Sequence, residues 1–303
     1  MNIFQKLSKF IFNPKYRFCI LSSYGFFNGL SDEKFLKKYF KIKFGYKLNL
    51  DNPQTFSEKL QWLKLYNRNP LYTTIVDKYA VKKYIADKIG DEYIIPTFGV
   101  WNKFEEIDFD KLPNQFVLKT THDSKNVVIC KDKNTFDKQL AREKITKSIQ
   151  TNYYYLYREW PYKNVPRKII AEQYMEDKDT KELRDYKFFC FDGYVDNVMV
   201  CINRNMGNPK FYFFNDKWEL LRINKAGLTA PKDFTLEKPI LINEMFKIAS
   251  ILSKNIPFVR VDLYNCNNKI YFGEMTFYPT AGFDSNILPE TDKNRGLLLK
   301  LPK

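Results

Sequence analysis

The chain has 303 residues, room for two domains or one large α/β unit, and its 44% hydrophobic content is enough for a real core. Fifty Lys and Arg against 35 Asp and Glu leave a net charge of +15, which favours an anionic partner: a nucleotide, nucleic acid, an anionic glycan or a membrane surface. Any Ser-His-Asp or Cys-His mechanism would have to use the single histidine, His122, and five scattered cysteines without a CxxC argue against zinc and for a reducing compartment.

Residues 1–18 place Ile3, Phe4, Leu7, Phe10 and Ile11 at helical spacing, with Lys6, Lys9 and Lys15 nearby. Such a helix lies either on an anionic membrane surface or against the core. No run approaches the roughly 18 apolar residues of a membrane span, and no signal peptide is evident. The expected location is therefore cytoplasmic, with peripheral contact at the inner face of the membrane as the one departure. Ser31 is placed to cap a helix reaching about Phe40. Thr55 and Glu58 have capping-box spacing at the start of a helix through Leu65. Pro70 breaks the chain, and residues 73–89 read as one helix carrying Asp77-Lys78 and Lys82-Lys83, ended by Gly90.

Strand signals follow. Phe116 to Thr120 is an apolar run with Lys119 near its end, Thr121 to Asn126 a polar loop, and Val127 to Cys130 a second strand. Strand, polar loop, strand is one way to wrap phosphates, with Lys119 as the point charge; the alternative is an exposed edge lysine. A helix over 135–151 leads to a buried strand over 168–174. Asp185 and Lys187 share one face of a strand that turns at Asp192-Gly193 and pairs back over 195–202. Residues 211–214 and 218–222 suggest another hairpin, 224–235 a loop, and 239–254 a helix.

The central stretch is Phe258 to Phe283. Arg260, Asp262 and Tyr264 share one face of a period-2 strand, while Phe272, Glu274 and Thr276 share a face of the next. Register decides whether the carboxylates meet. A three-residue loop pairing Cys266 with Ile270 sets Asp262 opposite Glu274; a two-residue turn at Asn267-Asn268 puts them on opposite faces. The three-residue loop is the expectation. Two facing carboxylates beside an arginine then suggest a Mg²⁺ site, since that ion takes one or two carboxylates together with substrate phosphates. A salt-bridged solvent face is the plainer reading.

The order of these features resembles an ATP-grasp ligase. The segments NPQTFSEKLQWLKLY (52–66), DKYAVKKYI (77–85), DYKFFCFDG (185–193) and VRVDLY…YFGEMTFYPTAGF resemble its teichuronopeptide-synthesis, TupA-like branch over roughly residues 50–290. The resemblance implies an α+β fold, with a nucleotide cleft between a small lid subdomain near 115–176 and a larger antiparallel core sheet. It implies a helical, substrate-side region over 1–75, an ATP-grasp domain over 76–290 and a peripheral tail over 291–303. ATP and Mg²⁺ are the implied cofactors. Lys78 and Lys119 would hold the α- and β-phosphates, and Glu172 would receive the adenine amino group. Gln173, Tyr174 and Met175 would form the hinge, and Asp185 would bind the ribose. Lys187 would approach the phosphates, Arg260 would steady the transferred phosphoryl group, and Asp262, Glu274 and Thr276 would bind Mg²⁺. Superfamily members usually have Asn at the position of Thr276. Related ligases also carry a Gly-bearing phosphate loop where residues 121–126 have none; Ser124, Lys125 and His122 are the substitutes on offer.

The implied reaction is amide formation through an acyl phosphate, which needs no protein nucleophile. The implied partners are an anionic glycan or lipid-linked polysaccharide precursor and an amine donor, with no nucleic acid. The rival reading is a glycosyltransferase using Asp108-Phe109-Asp110 or Asp177-Lys178-Asp179 as its metal-binding pair. A kinase lacks its G-x-G-x-x-G, H-R-D and D-F-G signatures.

Overall fold

The computed structural model describes residues 3–124, 126–179, 181, 183–202 and 208–302. Among those residues, in chain order, the α-helices are α1 (Ile3–Phe12), α2 (Pro14–Ser23), α3 (Asp32–Phe44), α4 (Phe56–Tyr66), α5 (Leu71–Val76), α6 (Ala80–Ile89), α7 (Lys138–Gln150), α8 (Tyr154–Tyr157), α9 (Lys225–Thr229), α10 (Ile242–Ser253) and α11 (Pro289–Leu298). The strands are β1 (Thr97–Trp101), β2 (Phe116–Thr120), β3 (Val127–Cys130), β4 (Ile169–Gln173), β5 (Arg184–Phe191), β6 (Tyr194–Ile202), β7 (Lys210–Phe214), β8 (Leu220–Leu221), β9 (Val259–Cys266) and β10 (Lys269–Thr276). The chain divides into two units, one of residues 1–69, 152–163 and 278–303, the other of 70–151 and 164–277.

The first unit is helical, and side-chain caps set its boundaries. Asn13 accepts from the Tyr16 amide (3.0 Å), and Pro14 takes the first position of α2. Ser31 caps α3, which ends at Gly45 with φ 89°. Thr55 and Glu58 close the expected capping box on α4. The core is aromatic, built from Phe18, Phe35, Tyr39, Phe40 and Phe283 among others. Within it lies Lys64, 1% exposed. Its ammonium donates to Gln61 Oε1 (2.9 Å), Ala281 O (2.7 Å) and Tyr157 O (3.1 Å), and stands 4.7 Å over the Phe283 ring. Burial pulls its pKa down to about 7, against a smaller upward influence from Glu159.

The stretch after Pro289, expected to be a peripheral tail, is instead α11 and packs on α4. Asp292 accepts from the Ser57 amide and hydroxyl (2.8 and 2.9 Å), and Leu299 is fully buried. A polar helix held by a buried carboxylate leaves little apolar periodicity to read.

The second unit holds two antiparallel sheets, a four-stranded one in the order β1-β4-β2-β3 and a six-stranded one in the order β10-β9-β5-β6-β7-β8. The α+β class is as expected. The smaller sheet packs on α7 around Phe116, Leu118, Ile145, Ile169 and Ala171. It begins at β1, upstream of residue 115, and residues 152–163 of the stretch expected to form the lid group with the helical unit. Helix α10 buries Ile242, Met245, Ile248, Ala249 and Leu252 and contacts β5, β6 and β9. The loop expected over 224–235 contains α9, capped by Asn224 through the Gly227 amide (2.9 Å).

Two local corrections shape the site. The helix expected over 73–89 is broken. Asp77 is extended (ψ 114°), and its carboxylate accepts from the amides of Tyr79 (2.8 Å) and Ala80 (3.1 Å), so α6 restarts behind a new cap. The central hairpin turns through two residues rather than three. Asn267 and Asn268 are both left-handed (φ 52° and 56°), and Cys266 pairs with Lys269. That register alone would separate the carboxylates. A bulge between Phe272 and Glu274 restores the other parity, and Glu274 comes to lie opposite Asp262. The same bulge breaks the expected face: Phe272 pairs with Leu263, on the side opposite Glu274 and Thr276. Gly273 carries the bulge, and a Cβ there would stand 2.9 Å from Asp262 O.

Candidate active site

Register lines up the charged side chains of the large sheet. Lys187 on β5 pairs with Asp262 on β9, which pairs with Glu274 on β10, so the three form one row across three strands. Arg260 and Thr276 pair in the adjacent row. The Arg260 guanidinium grips Asp262 through Nε and one Nη (both 2.6 Å) and reaches Glu274 Oε1 and Thr276 Oγ1 (both 3.1 Å). Lys187 bridges Asp262 and Asp185, the latter at 2.6 Å. Burial pushes the Asp262 carboxyl up, and Arg260 and Lys187 oppose it. Burial also pushes Glu274 up, but Arg260, Lys78 and Lys187 outweigh it and hold its pKa below the usual value.

Asp262, Glu274 and Thr276 thus stand on neighbouring strands of one face. Among the described residues no group of three or more His, Cys, Asp or Glu forms a metal cluster. Two carboxylates and a hydroxyl nevertheless fit Mg²⁺, which completes its shell with phosphate oxygens and water. Arg260 now occupies that donor set.

The small sheet supplies the other wall. Glu172, on β4, is clamped by two lysines: Lys119 of β2 on Oε2 (2.7 Å) and Lys82 of α6 on Oε1 (2.6 Å). Burial pushes Glu172 up, but the lysine pair prevails and holds it below the usual carboxylate value. Beyond Glu172, the Gln173 amide donates to Pro96 O (3.0 Å), and the Tyr174 hydroxyl donates to Glu176 (2.8 Å), which also pairs with Lys131 (3.1 Å). Met175 also lines the cleft.

Lys78 sits in the break between α5 and α6. Its amide donates to Thr121 O (3.1 Å) and its ammonium to Asp123 O. Burial lowers its pKa, with Glu274 the largest opposing influence. The loop without glycine is anchored by its own side chains. Thr121 donates to Pro166 O (2.7 Å), His122 Nε2 donates to Ser148 O (3.1 Å) and Thr151 O (3.2 Å), and Asp123 accepts from Ser148 (2.5 Å) and Asn126. His122 is therefore held at the C-terminal end of α7 and does not substitute for a phosphate-binding glycine. Ser124 is exposed and lines the cleft; Lys125 lies outside the described residues.

The cleft of about 660 Å³ is lined by every residue expected at the site except Arg260 and Thr276, which bond to its Asp262 and Glu274. Its volume suits a nucleotide-sized ligand. Among the described residues, seven basic and six acidic side chains line it, so the chain's +15 is not concentrated there. Sequence reasoning passed over Lys82 as a site residue. The signal was its position one helical turn beyond Lys78. The two D-x-D pairs act in turns: Asp108 accepts from the Asp110 amide (3.1 Å), and Asp177 accepts from the amides of Asp179 (3.1 Å) and Asn267 (2.8 Å).

A family model described as TupA-like ATPgrasp matches residues 58–300. No curated protein matches the chain. Similar solved structures include a D-alanine–D-alanine ligase from Helicobacter pylori, at 13% identity over 83% of this chain with a TM-score of 0.45. Another is a D-alanine–D-alanine ligase from Bacillus anthracis complexed with ATP, at 17% identity over 74% of this chain with a TM-score of 0.42. A third is the ATP-grasp ligase PsnB complexed with a minimal precursor, Mg and ADP, at 8% identity over 80% of this chain with a TM-score of 0.39. The match covers 70%, 61% and 66% of those chains, respectively.

Proposed function

The chain belongs to the TupA-like ATP-grasp family and is an ATP-dependent carboxylate–amine ligase in kind, and on that footing we propose that it joins an amine to a carboxylate of an anionic surface-polymer precursor. The acceptor is a uronic acid of a polysaccharide or a growing poly-glutamate chain, and the donor is an amino acid or amino sugar. The observation that carries this reading is the row Lys187–Asp262–Glu274, with Arg260 beside it, in the same cleft as Lys78 and Lys119.

Those side chains have separable tasks. Lys78 and Lys119 neutralise nucleotide phosphates, Lys119 through the N–H donors that its bond to Glu172 leaves over. Asp262, Glu274 and the Thr276 hydroxyl hold Mg²⁺, which when bound neutralises phosphate charge. Arg260 and Lys187, released in part from the carboxylates, face the transferred phosphoryl group. Asp185 accepts from ribose hydroxyls, and the 172–175 segment borders the base. The substrate carboxylate takes the γ-phosphoryl group and ADP leaves; the neutral amine then bonds to the acyl carbon, losing a proton, as inorganic phosphate departs. Catalysis is then positioning and charge neutralisation. This work needs no histidine or cysteine, in keeping with a buried His122 and the unpatterned cysteines.

Phosphate release from Mg·ATP against a panel of uronic acids and amino acids tests the reading. Release that requires both a carboxylate and an amine supports it and names the substrates. Binding of a nucleotide-sugar with neither ATP binding nor turnover would replace it with the glycosyltransferase.

A further inference from the structure

We propose that α1 docks the protein on the surface of a bilayer that carries anionic lipids. The helix buries none of its side chains. Ile3, Phe4 and Phe12 are 80%, 82% and 80% exposed, and Leu7 and Ile11 are more than half exposed. Four of these, Ile3, Phe4, Leu7 and Ile11, recur at helical spacing and fall with Phe10 on an arc of about 120°. Ser8, Gln5, Lys9 and Lys6 lie on the opposite arc, where Phe12, the last residue of the helix, is the one apolar exception. A face of this kind against a core would show buried residues, and α1 has none.

Charge selects the occupant. Residues 1–31 contain Lys6, Lys9, Lys15 and Arg17 and not one Asp or Glu. The cleft is nearly balanced, so this stretch is one place where the excess positive charge lies. Arg17 donates to Ile11 O (2.8 Å) at the end of α1, and Lys9 stands 5.1 Å over the Tyr16 ring, so basic residues brace the corner between α1 and α2. Tyr24 and Phe26, just after α2, are also exposed aromatics within the acid-free stretch. An apolar arc flanked by cations, with aromatic residues nearby, has the composition of a helix lying in the plane of a membrane interface. A second copy of the same helix would bring like charges together, which disfavours self-association.

The inference stands apart from the ligase reading, because docking requires no nucleotide. The full chain is sedimented with vesicles of phosphatidylcholine alone and of phosphatidylcholine with one-third phosphatidylglycerol, without ATP. We expect binding to the anionic vesicles at least about tenfold tighter than to the neutral ones, and weakened by salt. Phe4→Asp with Leu7→Asp should reduce it about tenfold or more, with an unchanged melting temperature because neither side chain is buried. Lys6→Glu with Lys9→Glu should erase the preference for anionic lipid. Three results would overturn the proposal: no sedimentation with anionic vesicles, undiminished binding by the Phe4/Leu7 variant, or self-association that the same variant disrupts while vesicles are ignored.

Discussion

The two ends of the cleft hold carboxylates in opposite ways. At the small-sheet end, the Glu172 side chain is 7% exposed and both its oxygens are taken, Oε1 by Lys82 and Oε2 by Lys119. At the Arg260 end, the Glu274 side chain is 40% exposed, and the bonds from Arg260 and Thr276 both fall on Oε1. The first carboxylate neutralises two partly buried lysines that would otherwise lack a counter-charge there. The second lines the cleft, with both of those bonds on a single oxygen. Similar charge pairs thus do different work, and burial is what separates them: a buried ion pair resists exchange because losing one partner strands the other, whereas a half-exposed one can trade its partner for a ligand.

Substitutions at the two ends should therefore part company. Glu274→Gln should cut ATP-dependent phosphate release by about two to three orders of magnitude, with little change in urea stability. Equal losses of activity and stability would blur the distinction. Glu172→Ala should cost about 3–5 kcal/mol of unfolding free energy, read by urea denaturation. Adding Lys82→Met to Glu172→Leu should recover most of that, since an apolar pair of similar volume strands one fewer charge. Asp262→Asn should show both effects, because Asp262 is buried and also belongs to the proposed metal set.

The helical unit extends the contrast with a lysine whose three hydrogen bonds are to amide and backbone carbonyl oxygens, none to a carboxylate. The folded-state pKa of Lys64 is about 7 against an ordinary 10.5. Between those values the unfolded chain binds the proton and the folded chain does not. Stability should therefore rise as pH increases from about 7 toward 10.5, by up to about 1.4 kcal/mol per pH unit. Lys64→Met should flatten that slope in urea titrations across the window, at the cost of three unsatisfied carbonyl oxygens. A slope unchanged in the variant would assign it to other groups.

The smallest effect belongs to the bulge. Gly273→Ala should cost about 1–2 kcal/mol, because the new Cβ meets Asp262 O and the Tyr264 ring. It should also lower turnover more than that stability loss implies, since the bulge is what turns Glu274 toward Asp262. A variant stable to within a few tenths of a kcal/mol and fully active would show that Glu274 reaches the face without the bulge.

The fold class and the cleft's charged residues were legible because strands advertise themselves locally. Alternation put Arg260 with Asp262, and Asp185 with Lys187, on shared faces, as the structure has them, and the capping box located α4. The pairing of Asp262 with Glu274 was expected through a three-residue loop and arises instead from a two-residue turn plus a bulge. Both the Asn-Asn pair and a glycine inside a strand were visible signals of that geometry. The break at Asp77 was hidden because an aspartate that accepts from two amides ahead of it looks, in sequence, like any polar residue on a helix. Lys82 was missed although the expected unbroken helix would have set it, and not the solvent-facing Lys83, one turn beyond Lys78 on the same face. The return of residues 152–163 and 278–303 to the first helices was not legible, since nothing local in those segments names a partner more than a hundred residues away.

Whether this cleft holds Mg·ATP can be decided by titrating the protein with a non-hydrolysable ATP analogue, with and without Mg²⁺. One nucleotide should bind per chain, more tightly with Mg²⁺ than without it. Affinity should weaken in Lys119→Met, and the Mg²⁺ enhancement should be lost in Glu274→Gln. Binding that is indifferent to Mg²⁺ and to both substitutions would place the nucleotide elsewhere and contradict the assignment of this cleft.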